Sequence, residues 1–270
     1  MKKTYVITGA TSGIGKALTE NLASKGHVIF AGYRNEEKIK DLPQGVIPFF
    51  IDSTKPETIN SSVSFIKSKT DNINSIVNIS GCVVAGAIEH IDTDEIRRQF
   101  EVNVFSHLTL TQGLLPLLEG GKIINISSMA SFGMFPFISP YCASKRTLDI
   151  LFNALQLETK HNIKVISIKP GVIATPLWEK SITENQKGFE NCSEFTPEIN
   201  FLVKNARKNG INGLPVEKVV QTILKADSAR APRESYTVGL DAKLAEIATH
   251  LPLSFVNKLI KYRLKLISKN

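Results

Sequence analysis

Residues 4–15 read TYVITGATSGIG: a β-prone run, Thr4 to Thr8, passes directly into a turn with glycine at positions 9, 13 and 15. Beyond the turn, Ile14, Leu18 and Leu22 recur at the spacing of one helical face. Strand, glycine turn and helix in that order open a βαβ unit. Gly9 permits the tight turn, Gly13 lets the backbone approach a diphosphate, and Gly15 lets helix lie on strand, while the helix N-terminus favours negative charge. The spacing is GxxxGxG rather than GxGxxG. The plain alternative is a turn that needs glycine for geometry alone.

The same rhythm continues outward. Val28–Gly32, Val46–Ile51, Ser75–Ile79, Lys122–Ser127 and Lys164–Lys169 are short apolar runs, with a second helical stripe at Ile59, Val63 and Ile66 between them. Continuous rather than alternating hydrophobicity implies strands covered on both faces. Repeated βαβ of this kind predicts an α/β fold with a doubly wound parallel sheet, the Rossmann arrangement, in three layers α/β/α. One domain spanning residues 1–270 is expected. Two segments depart from the rhythm. Residues 176–215 are rich in Asn, Glu and Lys with scattered aromatics, and read as a substrate lid longer than an ordinary connection. After a helix at Val216–Ala226 and a strand at Ser235–Val238, residues 240–270 form a basic amphipathic tail.

Composition narrows the class without choosing the chemistry. A chain of 270 residues, 42% hydrophobic and 21% charged, is an ordinary globular protein with material for a sizeable core. Cys82, Cys142 and Cys192 form no CxxC pair, so neither a disulfide framework nor a metal site is expected, and a cytoplasmic location follows. The start MKKTYVITGATSGIG lacks a signal-type apolar core, and no run approaches the length of a membrane span. A net charge of +8 attracts anions in general. Without a groove-reading module, no nucleic-acid partner is expected.

At the end of the second strand, where an acidic residue would bind a ribose 2′-hydroxyl, the chain has Tyr33 followed by Arg34. An arginine suits a 2′-phosphate, which favours NADP(H) as cofactor; the bland alternative is a solvated surface arginine.

Further along, SSMASFGMFPFISPYCASK (Ser127 to Lys145) ends on a tyrosine and a lysine one helical turn apart, with serine ahead of them. Taken in order, the chain resembles the short-chain dehydrogenase/reductase superfamily from Thr4 to about Val238. The match comprises TGxxxGxG at Thr8–Gly15, a strand-end Asp52, NISG at Asn78–Gly81 in place of NNAG, Asn103 in FEVNVF, Ser128, YxxxK at Tyr141–Lys145, and KPGVIATP at Lys169–Pro176. Ile79 and Ser80 depart from the family pattern. In overall look the chain is similar to the retinoid, steroid and 3-hydroxybutyrate branches. The resemblance implies an NADP-dependent dehydrogenase/reductase acting on CH–OH groups, with Asn103, Ser128, Tyr141 and Lys145 catalytic. It implies cofactor contacts at Gly9, Thr11, Ser12, Gly13, Ile14, Gly15, Arg34, Asp52, Asn78, Tyr141, Lys145, Pro170, Gly171, Val172 and Thr175. It also implies a homodimer or homotetramer built on long helices at Asp94–Leu118 and Tyr141–Thr159.

The residue types suit that chemistry. Ser139 and Pro140 fit the N-cap and first position of a helix, and Tyr141, Lys145, Leu148, Phe152 and Leu155 continue one inward stripe. A lysine on that face is expensive without a task. A tyrosine ionises near pH 10, so proton exchange near neutrality needs about 4 kcal/mol of help. The expectation is that Lys145, with the positive charge of an oxidised nicotinamide, lowers the phenol's pKa and holds the nicotinamide ribose. Ser128, just past the fifth strand, would polarise the substrate carbonyl, and Asn103 would support a proton relay through water.

Leu177, Trp178, Phe189, Phe195 and Phe201 either wall an apolar substrate site or simply pack the lid down. A bulky apolar ketone, aldehyde or alcohol is the expected substrate. The tail sets Phe255, Leu259 and Leu266 among Lys258, Lys261, Arg263, Lys265 and Lys269, a pattern for docking on protein or for peripheral membrane contact. A non-catalytic NADPH-binding sensor or scaffold on the same fold is the alternative reading.

Overall fold

The computed structural model describes residues 1–269, so Asn270, the last residue of the tail, lies outside the described residues. Seven strands form one sheet: β1 (Thr4–Ile7), β2 (Val28–Tyr33), β3 (Ile47–Phe50), β4 (Ser75–Asn78), β5 (Lys122–Ile126), β6 (Lys164–Pro170) and β7 (Ser235–Val238). Their spatial order is β3-β2-β1-β4-β5-β6-β7 and every neighbouring pair is parallel. The order reverses between β1 and β4, and the crevice beyond the carboxyl ends of those strands is where such sheets bind ligands.

Parallel pairing forces helical crossovers, and the helices cover both faces. Tyr5 and Ile7 of β1 point to a core shared with Leu18 and Leu22 of α1 (Gly13–Ser24). Val6, between them in sequence, points to the opposite core with Ile59 and Ile66 of α2 (Pro56–Lys67). This alternation is why Tyr5, Val6 and Ile7 of β1 are apolar in succession. On the α2 side, α3 (Thr93–Phe100), α4 (Ser106–Leu114) and α5 (Ser139–Glu158) complete the layer. Phe152 of α5 is fully buried there; truncating a buried phenylalanine to alanine costs about 3–5 kcal/mol.

The segment read as a long lid is a helical hairpin, α6 (Leu177–Glu190) and α7 (Thr196–Asn212). Its polar composition hid a helical stripe at Ile182, Asn185 and Phe189. Next, α8 (Val216–Ser228) closes the first core. The tail folds into α9 (Leu240–Ala248) and α10 (Leu253–Ile267). Among the described residues no helix is long and apolar enough to cross a membrane.

Candidate active site

At the carboxyl end of β1, Gly9 and Gly13 adopt φ of +64° and +48°, backbone that L side chains rarely adopt. A Cβ on Gly15 would fall on the carbonyl of Gly9, so helix α1 can approach the turn only with glycine there. Thr8 ties the turn to β4: its Oγ1 accepts from the Ile79 amide at 2.9 Å and from Ser80 at 3.3 Å. Ser12 is the N-cap of α1 but makes no side-chain cap bond, so its hydroxyl does not satisfy the first-turn amides. A Cβ on Gly13 would sit 3.6 Å from the side chain of Thr175, so these two residues lie against each other at the glycine turn. Glycine backbone, uncapped amides and a facing threonine fit a dinucleotide diphosphate. Thr11, Ser12 and Ile14 lie in this turn as expected.

Arg34 follows β2 and is exposed. It lies near enough to Asp52 for its charge to matter: burial raises the Asp52 carboxyl, but two hydrogen bonds from Thr54 and the guanidinium of Arg34 hold it below the usual range. Asn78 is placed differently from a ligand contact. It is fully buried and its Nδ2 donates to Asn125 Oδ1 at 2.8 Å, a bridge from β4 to β5 beneath the site.

Asn103 sits in a π-helical turn, Glu101–Phe105, that interrupts the single long helix expected over 94–118. The wider turn brings Val102, Asn103 and Val104 inside together, which a regular helix would not allow. A buried amide must be satisfied at both ends. Here Oδ1 accepts from the Cys82 amide at 2.9 Å, while Nδ2 donates to Cys82 O and to Ser144 Oγ, each at 3.0 Å. Asn103 therefore pins the loop after β4 to helix α5.

Helix α5 begins at Ser139, one residue earlier than the cap reading, with Ile138 as N-cap and no side-chain cap bond. Pro140 still precedes Tyr141 in the first turn, where its fixed φ suits the helix. Tyr141 is half-buried at the edge of the crevice, and Lys145 beneath it is 4% exposed. The Lys145 ammonium donates to the Ile126 carbonyl at 2.8 Å and stands 5.9 Å from the centre of the Tyr141 ring. Ser128, in extended backbone after β5, accepts from the Ala130 amide at 3.1 Å.

Burial pushes the Tyr141 phenol up to about 12, with a hydrogen-bonding interaction from Ser128 pulling the other way. Burial lowers Lys145 to about 8, opposed by the charge of Asp149. His107, whose Nε2 meets Ser80 O at 2.9 Å, is driven down to about 4 by burial and then by Lys145, and is neutral.

Sequence reasoning missed two positioning residues. Asp241, in the first turn of α9, accepts from the Val172 amide at 2.6 Å and packs against Gly171 and Gly239, where a Cβ would collide with its carboxylate. It holds the Pro170–Val172 strand end in place. Its signal was faint: an aspartate two residues past the positive-φ glycine at 239. The second is Phe137, whose φ is +65°, an outlier for a bulky residue. Its carbonyl accepts from Gly86 at 2.8 Å and its ring meets Phe195 edge-on at 5.7 Å, joining the Ser128–Tyr141 segment to the hairpin.

The hairpin's aromatics divide. Phe189 and Phe195 pack with Phe137 around Ala87, Cys192 and Ile199, holding the hairpin to the body. Trp178 donates Nε1 to Ile173 O at 2.7 Å. Phe201 is turned away, with the Arg263 guanidinium 5.7 Å from its ring. That contact, and a hydrogen bond from Ser268 to Glu198, dock one side of α10 on α7.

The family model for short chain dehydrogenase matches residues 3–187. An NADPH-dependent 3-dehydrocapnine reductase of Ornithobacterium rhinotracheale is 31% identical over 280 aligned positions, covering 98% of each chain. A probable short-chain type dehydrogenase/reductase of Helicobacter pylori is 30% identical, covering 95% of this chain and 96% of its own. A short chain dehydrogenase of Burkholderia cenocepacia, solved in complex with NADP, superposes with TM-score 0.76 at 23% identity, over 96% of this chain and 97% of its own.

Proposed function

Because the chain belongs to the short chain dehydrogenase family and is an oxidoreductase, we propose that it uses NADP(H) to reduce a ketone or aldehyde on a bulky apolar molecule, with Tyr141 giving the proton. The cofactor assignment rests on the glycine turn, on Arg34 and on the NADPH dependence in the name of its relative. When bound, NADPH supplies the hydride.

The chain's own residues handle everything else. The α1 N-terminus and the glycine turn hold the diphosphate, and Arg34 faces the 2′-phosphate. Ser128 and Tyr141 donate hydrogen bonds to the substrate oxygen as negative charge develops on it. Tyr141 then passes its proton to that oxygen. Lys145, held at the end of β5, would hold the nicotinamide ribose, and Asn103 fixes the loop and helix between which the proton would be resupplied. The observation that carries this reading is a half-buried Tyr141 phenol at the crevice, one helical turn from the buried Lys145 ammonium. Such a group is a proton donor at neutral pH. An alkoxide is far more basic, so transfer runs downhill.

The apolar preference is supported by Met134, half exposed beside Phe135 and Phe137 in the segment joining Ser128 to Tyr141. We read the α6–α7 hairpin as the lid over that side. Phe105, Ile150 and Leu157, exposed on the outer faces of the two long helices, support pairing of two copies there. The test is cofactor oxidation with carbonyls graded by chain length. Turnover that rises with chain length and prefers NADPH is expected; bound NADPH with no turnover on any carbonyl would leave the sensor reading in place.

A further inference from the structure

We propose that α9 and α10 form a peripheral membrane-binding surface that seats the protein on anionic lipid. Each helix leaves a stripe of large apolar side chains open to solvent. On α9 and the turn after it these are Leu240, Leu244, Ile247 and Leu251, and on α10 they are Phe255, Leu259 and Tyr262. Tyr262 is 64% exposed and Leu244 66%. Within each helix the steps of four and three between them are those of one helical face. They are not residues left over after packing, because α10 already has an inner side: Val256, Ile260 and Ile267 are half-buried, and Arg263 reaches Phe201 of α7.

Charge selects the occupant. From Ile247 to Lys269 the chain carries no aspartate or glutamate, while Lys258, Lys261, Arg263, Lys265 and Lys269 all lie there. A second copy would bring the same unneutralised cations against these, whereas an anionic lipid headgroup layer pairs with them. Lysines flanking an apolar stripe that includes phenylalanine and tyrosine are the composition of a helix lying in the plane of a membrane interface. The position also makes sense of the site. α9 packs against the turn Met129–Phe132 directly after Ser128, and its Asp241 holds the strand end at Val172. A lipid surface on these helices would lie beside the crevice, where an apolar substrate can enter from the acyl layer.

The test is co-sedimentation of the full chain with vesicles of phosphatidylcholine alone or mixed with phosphatidylserine. Binding to the mixed vesicles should exceed that to phosphatidylcholine by at least about tenfold and weaken at high salt. The paired changes Lys258→Glu with Lys261→Glu, and separately Phe255→Ser with Leu259→Ser, should each abolish it without altering reduction of a water-soluble ketone. Equal or absent binding to the two vesicle types overturns the proposal. So does a fall in oligomer mass by light scattering in the Phe255→Ser, Leu259→Ser variant, which would show that a second copy covers the face. Membrane binding is read without turnover, so its failure is distinct from failure of the reductase reading.

Discussion

Lys145 stands 5.9 Å from the centre of the Tyr141 ring and gives its hydrogen bond to the carbonyl of Ile126 at 2.8 Å rather than to the phenol. The ammonium is thus anchored to the end of β5, where it can hold a ribose, and the phenol stays protonated.

A pH profile follows from that arrangement. Burial lowers Lys145 to about 8, against an ordinary value of 10.5. The rate of reduction, as kcat/KM, should be level near neutral pH and fall as pH rises through about 8 and Lys145 loses its proton. Stability moves the other way. Keeping this lysine buried and charged costs stability below its folded-state value, and the cost fades as pH rises from about 8 towards 10.5, where the unfolded chain still binds the proton and the folded one does not. Lys145→Met should therefore melt higher than the parent at neutral pH, with the gap narrowing across that window; a gap that widens with pH would count against the assignment.

Arg34 is exposed and follows the carboxyl end of β2. Arg34→Glu should weaken NADPH binding by about 10–100-fold, as expected for loss of a charge-assisted pair plus a new repulsion, and leave NADH binding nearly unchanged. Fluorescence titration of both cofactors measures this. Equal losses for the two would mean that Arg34 does not read the 2′-phosphate.

Asp241 acts through Val172, so its removal should loosen one strand end rather than the chemistry. Asp241→Ala leaves the Val172 amide without its acceptor at a cost of about 1–3 kcal/mol. KM for NADPH should rise with kcat little changed, and Asp241→Asn, which keeps an acceptor oxygen, should recover most of the loss. A fall in kcat alone would point to a direct catalytic part.

Much of this was legible in the sequence because strands covered on both faces are mostly apolar, and β1 to β7 each lie within a residue or so of the runs that announced them. The glycine turn was legible for a similar reason: Gly15 has a backbone carbonyl where a side chain would be. What could not be read depends on tertiary contact. The π-helical turn at Glu101–Phe105 exists because Asn103 must meet Cys82 and Ser144, residues distant in sequence. Asp241 reaches Val172 across 69 positions. The raised phenol of Tyr141 reflects its partial burial among residues distant in sequence, which the YxxxK spacing does not encode.

The central claim is that Tyr141 delivers the proton. Its most direct test is Tyr141→Phe, compared with the parent chain for NADPH affinity and for the single-turnover rate of carbonyl reduction. Loss of the hydroxyl alone should slow turnover by about 10²–10⁴-fold, the usual contribution of a positioned general acid, with NADPH affinity unchanged. Reduction at the parent rate in that variant would contradict the account.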